Sequence, residues 1–90
     1  MHYIICYDIA QTRRRTRLAT LLEAIGTRAN KSVFEAKLTA KELELFIAKA
    51  KAIIEPKTDS VLIYPLCFDC MIKSLSLGQK GVFEVKDSFV

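Results

Sequence analysis

The chain predicts an α+β fold, two helices laid on one face of an antiparallel sheet, and three observations in its ninety residues point there. Short apolar runs rich in β-formers occupy residues 3–7 and 61–64. Two longer stretches repeat their apolar residues at helical spacing, and between them lies a segment that alternates with period two. The order strand, helix, strand material, helix, strand describes a sandwich.

Tyr3, Ile4, Ile5, Cys6 and Tyr7 form a bounded apolar run, the pattern of a strand buried on both faces. Leu18, Leu21, Leu22 and Ile25 then recur at i, i+3, i+4 and i+7, which predicts a helix from about Thr12 to Ile25. Gly26 follows where a left-handed residue would close that helix. Phe34, Ala36 and Leu38 alternate with Glu35 and Lys37 across a segment that reads as one strand or two very short ones. Thr39 and Glu42 form a T-x-x-E capping box, and Leu43, Phe46, Ile47, Ala50, Ile53 and Ile54 continue at helical spacing until Pro56. Residues 61–64 are a second apolar strand, stopped by Pro65, which cannot donate to a ladder. Residues 67–72 read as a turn or one helical turn. Ser74, Leu75, Ser76 and Leu77 alternate up to Gly78, and residues 82–85 offer a last extended piece. This is a ferredoxin-like plan, β-α-β-β-α-β plus a C-terminal strand, with a four- to five-stranded sheet. Residues 1–78 are expected to be the domain and 79–90 an extended C-terminal segment.

Ninety residues suffice for one core, but pairing with a second copy would bury more apolar surface. No run of about eighteen apolar residues is present and the start of the chain lacks a signal-peptide pattern, so a cytoplasmic protein without a membrane span is expected. Three cysteines, Cys6, Cys67 and Cys70, make no disulfide framework and fit a reducing compartment. Cys67-x-x-Cys70 has the spacing of zinc ligands, but a tetrahedral site needs four and the chain has no second pair. The two are read as ordinary thiols in a turn, and Cys6 as a small core residue.

Charge carries the functional signal. Residues 1–40 hold seven basic side chains against three acidic ones, whereas residues 41–90 hold seven of each, so the whole +4 lies in the first half. All five arginines, Arg13, Arg14, Arg15, Arg17 and Arg28, precede residue 29. Arginine is the better bidentate phosphate ligand, which suggests a phosphate-binding face. Four of the five crowd a helix start, where the dipole disfavours cations unless an anion visits. Just before them stands Asp8, at the end of the first apolar run. Magnesium takes one or two protein carboxylates and completes its shell with water and phosphate oxygens, so Asp8 beside these guanidinium groups suggests a metal-and-phosphate site acting on nucleic acid. His2 is too near the terminus to serve as a base there.

The ordered set of these motifs resembles the CRISPR-associated protein two family, the small subunit that accompanies the spacer-acquisition integrase in prokaryotic adaptive immunity. The resemblance covers residues 3–78. It rests on Tyr7-Asp8-Ile9, the arginine block, Gly26-x-Arg28-x-Asn30-x-Ser32-Val33-Phe34-Glu35, and Asp59-Ser60-Val61-Leu62-Ile63-Tyr64-Pro65-Leu66-Cys67-x-x-Cys70. Asn30 departs from the glutamine more usual in the family. The resemblance implies a homodimer of ferredoxin-like protomers in which the C-terminal segment of each packs on the other. It implies a magnesium or manganese ion between the Asp8 carboxylates of the two protomers, with Asp8 as the catalytic residue of a metal-dependent endonuclease acting on RNA or DNA. Arg15, Arg17 and Arg28 would hold flanking phosphates, together with Arg13 and Arg14, while Tyr7 and Phe34 would line the site. The partner implied is the CRISPR integrase subunit, CRISPR-associated protein one. Two other functions fit the same residues: a non-catalytic bridge that binds duplex DNA in the integrase complex, and a toxin-like ribonuclease.

Overall fold

The computed structural model describes residues 1–78. In chain order it contains β1 (His2–Asp8), α1 (Thr12–Ile25), β2 (Gly26–Asn30), β3 (Val33–Lys37), α2 (Ala40–Ile53), β4 (Ser60–Leu66) and a short α3 (Phe68–Ile72). The sheet order is β2-β3-β1-β4 with every neighbouring pair antiparallel. Both long helices cover one face, the arrangement that two β-α-β units produce when each crossover packs back on the same side. The expectation of an α+β ferredoxin-like sandwich holds, with four strands among the described residues.

The strand material between the helices is two strands joined by a turn at Lys31 and Ser32. Lys31 N–H donates to the Asn30 side chain at 2.7 Å, an Asx-type contact that closes this turn. The second helix starts as the capping box requires: Glu42 N–H donates to Thr39 Oγ1 at 3.1 Å and Thr39 N–H donates to Glu42 Oε1 at 2.8 Å.

Three local expectations are corrected. Gly26 is not left-handed; its φ of −155° and ψ of −167° are extended, and it is the first residue of β2. Glycine is needed for space there, because a Cβ would stand 2.5 Å from the carbonyl oxygen of Glu35. β4 does not stop before Pro65 but runs to Leu66, with Pro65 opposite Tyr3; as an edge strand it tolerates a residue without an N–H. Residues 74–77, read as alternating, form no strand, and Leu75 and Leu77 are almost fully exposed. Residues 79–90, including the extended piece at 82–85, lie outside the described residues.

The core lies between the helices and their sheet face. Ile5, Tyr7, Phe34 and Ala36 from the strands meet Leu18, Leu22, Phe46 and Ala50 from the helices. Phe34, Ile5, Leu18 and Leu22 are wholly buried, each contributing roughly 1.5–3 kcal/mol by removal from water.

Among the described residues no helix covers the opposite sheet face, so they do not enclose β1 on both faces as its apolar run suggests. Side chains alternate across a strand, so Ile4, Cys6 and Asp8 of β1 share this open face with Leu62 and Tyr64 of β4. Leu62 and Tyr64 are each half exposed. Cys6 is accordingly a half-buried residue of the open face rather than part of the core.

Candidate nucleic-acid and metal site

Asp8 is the last residue of β1, exposed, and opposite Ser60 of β4. It points to the open face, whereas Tyr7, its chain neighbour, points under α1. Strand alternation therefore divides what the sequence groups as one site. Tyr7 is 6% exposed and stacks on Phe34 with ring centroids 6.3 Å apart. Its hydroxyl donates to the Lys31 carbonyl at 3.2 Å, which satisfies the polar tip and ties the β2–β3 turn to β1. Phe34 is fully buried. These aromatics set the frame on which Asp8 sits; they do not share its surface.

The five arginines also divide. Arg14 Nε donates to Asp59 Oδ2 at 2.7 Å and a second guanidinium nitrogen reaches Oδ1 at 3.4 Å. The Asp59 side chain is completely buried and also accepts from Glu55 N–H at 2.9 Å and the Thr58 hydroxyl at 3.1 Å. Arg14, with these backbone and hydroxyl donors, holds the Asp59 carboxyl far below the usual carboxylate range. Arg14 is thus committed to a structural tie between α1 and the turn before β4, not to a phosphate. The anion required near the start of α1 comes partly from the chain itself.

Arg15 turns back on the loop that follows Asp8. One nitrogen donates to the Ile9 carbonyl at 2.9 Å and another to Thr12 Oγ1 at 3.0 Å. Its fork fixes the path of residues 9–12 and thereby supports Asp8. Arg28 lies over the Phe34 ring, 4.8 Å from the centroid, pairs with Glu23 at 3.1 Å and donates to the Lys31 carbonyl. Arg15, Arg28 and Lys31 border a groove between α1 and the β2–β3 turn, with Tyr7, Ser32 and Glu23 among its other walls.

Arg13 and Arg17 remain, exposed on α1 and without an ion pair among the described residues. Lys31 is likewise exposed at the β2–β3 turn. Its place in the groove is the kind of role that sequence hides, although a basic residue in a turn three positions after Arg28 is a usable signal. Asp59 was also missed as a functional partner, because nothing in sequence links it to Arg14 across 45 positions.

A metal ion finds few donors in one chain. Among the described residues no group of three or more histidine, cysteine or acidic side chains could hold an ion. His2 is at the other end of β1 from Asp8, roughly 20 Å away at strand rise, and burial pushes its pKa down, with Lys37 adding to the effect. It cannot assist Asp8.

The chain matches the model of the CRISPR associated protein Cas2 family over residues 1–74. The protein is a member of the Cas2 family. It is 37% identical over 76 residues to a CRISPR-associated endoribonuclease Cas2 of Rhodospirillum rubrum, covering 84% of this chain and 61% of that protein. A Cas2 endoribonuclease of Thermus thermophilus is 32% identical over 87 residues, covering 97% of this chain and 93% of the relative. Among solved structures, Streptococcus pyogenes Cas2 superposes with a TM-score of 0.77 at 29% identity, covering 87% of this chain and all of that one. A chain of a partial Cas6-RT-Cas1–Cas2 complex superposes with a TM-score of 0.79 at 27% identity, covering 99% of this chain and 97% of that one. No described helix is long and apolar enough to cross a membrane.

Proposed function

We propose that this Cas2-family chain acts in CRISPR spacer acquisition as a homodimeric, metal-dependent endonuclease of RNA or DNA that also binds the Cas1 integrase subunit. One observation carries the reading: among the described residues, Asp8 is the exposed polar end of a sheet face that no helix covers, and its neighbours Ile4, Cys6, Leu62 and Tyr64 are apolar. A second copy packed on that face would exclude water from the apolar residues and bring two Asp8 carboxylates to a common axis. The relatives named endoribonucleases and the neighbour within a Cas1–Cas2 complex support the assignment.

The donor set fits magnesium or manganese when two chains contribute an Asp8 each, because among the described residues of one chain no group of three or more donors comes together. When bound, such an ion supplies Lewis-acid stabilisation and a more acidic water for phosphodiester hydrolysis. The chain's own residues hold and orient. Asp8 provides the oxygen ligand, and Arg15 fixes the loop that follows it through the Ile9 carbonyl. Arg13, Arg17 and Lys31 supply mobile cations for flanking phosphates, contacts that position a nucleic acid without reading its bases.

Asp8→Asn tests the reading, since it keeps the shape of the side chain and removes its charge. Metal-dependent cleavage should be lost while Cas1 and DNA association persist. Undiminished cleavage by the variant sinks the catalytic assignment. A wild-type protein that binds duplex DNA and Cas1 but cleaves nothing with either ion would instead be a bridge. RNA cleavage without any Cas1 association would point to a toxin-like ribonuclease.

A further inference from the structure

Cys67 and Cys70 are unused by the proposed nuclease, and the structure gives them an arrangement absent from the sequence reading. Both are exposed, and β4 hands the chain directly to them. Cys67 is the residue before α3, with extended backbone (φ −72°, ψ 167°), and Cys70 lies in the first turn of that helix. The Cys70 N–H donates to Cys67 Sγ at 3.4 Å. The Cys67 sulfur therefore already rests against the backbone of Cys70, whose own sulfur is two bonds beyond its Cα. The pair stands three residues apart across one helical turn, and the contact already made by the Cys67 sulfur sets the cap geometry from which an S–S bond can form.

We infer that Cys67 and Cys70 form a redox-active dithiol that peroxide closes to an intrachain disulfide, Cys67 being the attacking thiol. The chemical asymmetry between the two agrees with that order. Backbone N–H donation from Cys70, followed by the Cys70 thiol, pulls the Cys67 pKa down, while the interaction with Cys67 pushes Cys70 up. The thiolate is the nucleophile, so Cys67 is the sulfur ready to react.

The reaction balances with peroxide as oxidant. Cys67 thiolate attacks one peroxide oxygen, the O–O bond breaks, and the departing hydroxide takes a proton and leaves as water. The resulting sulfenic acid is attacked by Cys70 thiolate; the S–O bond breaks, a second water leaves, and the S–S bond forms. Each sulfur loses one electron and the peroxide gains two. In a reducing compartment the pair rests as thiols, and the disulfide is transient. Closure staples the turn from which residues 74–77 depart, because the Ser74 hydroxyl donates to the Cys70 carbonyl at 3.0 Å and Ser74 N–H to the Met71 carbonyl at 3.1 Å.

The test uses the full chain with hydrogen peroxide, intact-mass and peptide analysis, and reversal by dithiothreitol. The expected product loses two hydrogens, carries the bond between Cys67 and Cys70, and leaves Cys6 as the one remaining thiol. Cys70→Ser should trap a dimedone-reactive sulfenic acid at Cys67, and Cys67→Ser should slow oxidation of the remaining pair member by about tenfold or more at neutral pH. Both substitutions are at exposed positions, and circular dichroism checks that each variant is folded. Oxidation that begins at Cys70 or Cys6, gives only interchain links, or proceeds at the same rate in Cys67→Ser overturns the proposal.

Discussion

Arg14 and Arg17 stand three positions apart on one helix, yet the structure assigns them opposite duties, and salt-dependent DNA binding distinguishes them. Arg14 is bound at 2.7 Å to the buried Asp59, whereas Arg17, like Arg13, is exposed and unpaired among the described residues. In the proposed dimer, Arg13, Arg17 and Lys31 from each protomer make six phosphate contacts. Each contact contributes about −0.9 to the slope of log affinity against log salt on duplex DNA, giving a slope of about −5.4. Affinity should then fall about 1,800-fold between about 50 and 200 mM salt. Arg17→Gln removes two of the six contacts, reduces the slope to about −3.6 and shrinks the fall to about 150-fold. Arg14→Gln leaves the slope near its wild-type value but lowers the urea midpoint of unfolding, because a buried carboxylate loses its charged partner. Fluorescence anisotropy with a labelled duplex across a salt series, paired with urea unfolding at one protein concentration, measures both. The sorting of the arginines is refuted if Arg14→Gln flattens the slope as much as Arg17→Gln while stability is untouched.

Two further outcomes follow from other positions. Gly26→Ala should destabilise by about 1–3 kcal/mol, because the carbonyl that its Cβ would meet belongs to backbone and cannot rotate away. Gly26→Asn should be worse still, and a better-tolerated asparagine, as at a left-handed helix end, would contradict the extended assignment; chemical unfolding of the pair decides. Acid should unfold the protein partly through Asp59, whose folded pKa is depressed, first by Arg14. Its stabilising contribution is fully present above the ordinary carboxylate value of about 4 and is lost progressively below it, where the unfolded chain binds the proton more readily. Asp59→Asn should therefore flatten the loss of stability between about pH 4 and pH 2 by one proton's worth; an unchanged acid profile counts against the buried tie.

Much of the fold was legible because local chemistry and tertiary structure agree. The capping box at Thr39 and Glu42, the apolar spacing of Leu18 and Leu22, and the alternation around Phe34 each specify an element through interactions within a few residues. Local patterns misled where a long-range neighbour decides. Gly26 follows a helix and so resembles a helix cap, but the requirement for glycine comes from the carbonyl of Glu35 on the next strand. Pro65 reads as a strand terminator until the sheet order makes β4 an edge.

The candidate site divides along the same line. From sequence alone come the elements, the basic first half, and Asp8 at the end of β1, since these depend on composition, period and order. Only the tertiary structure could decide that the helices cover the face of Tyr7 rather than that of Asp8, pair Arg14 with Asp59, turn Arg15 back on the loop after Asp8, and leave Arg13 and Arg17 exposed. The physical reason is that sequence records which charges a chain carries, whereas a guanidinium's task is set by whichever carboxylate or carbonyl packing brings within about 3 Å.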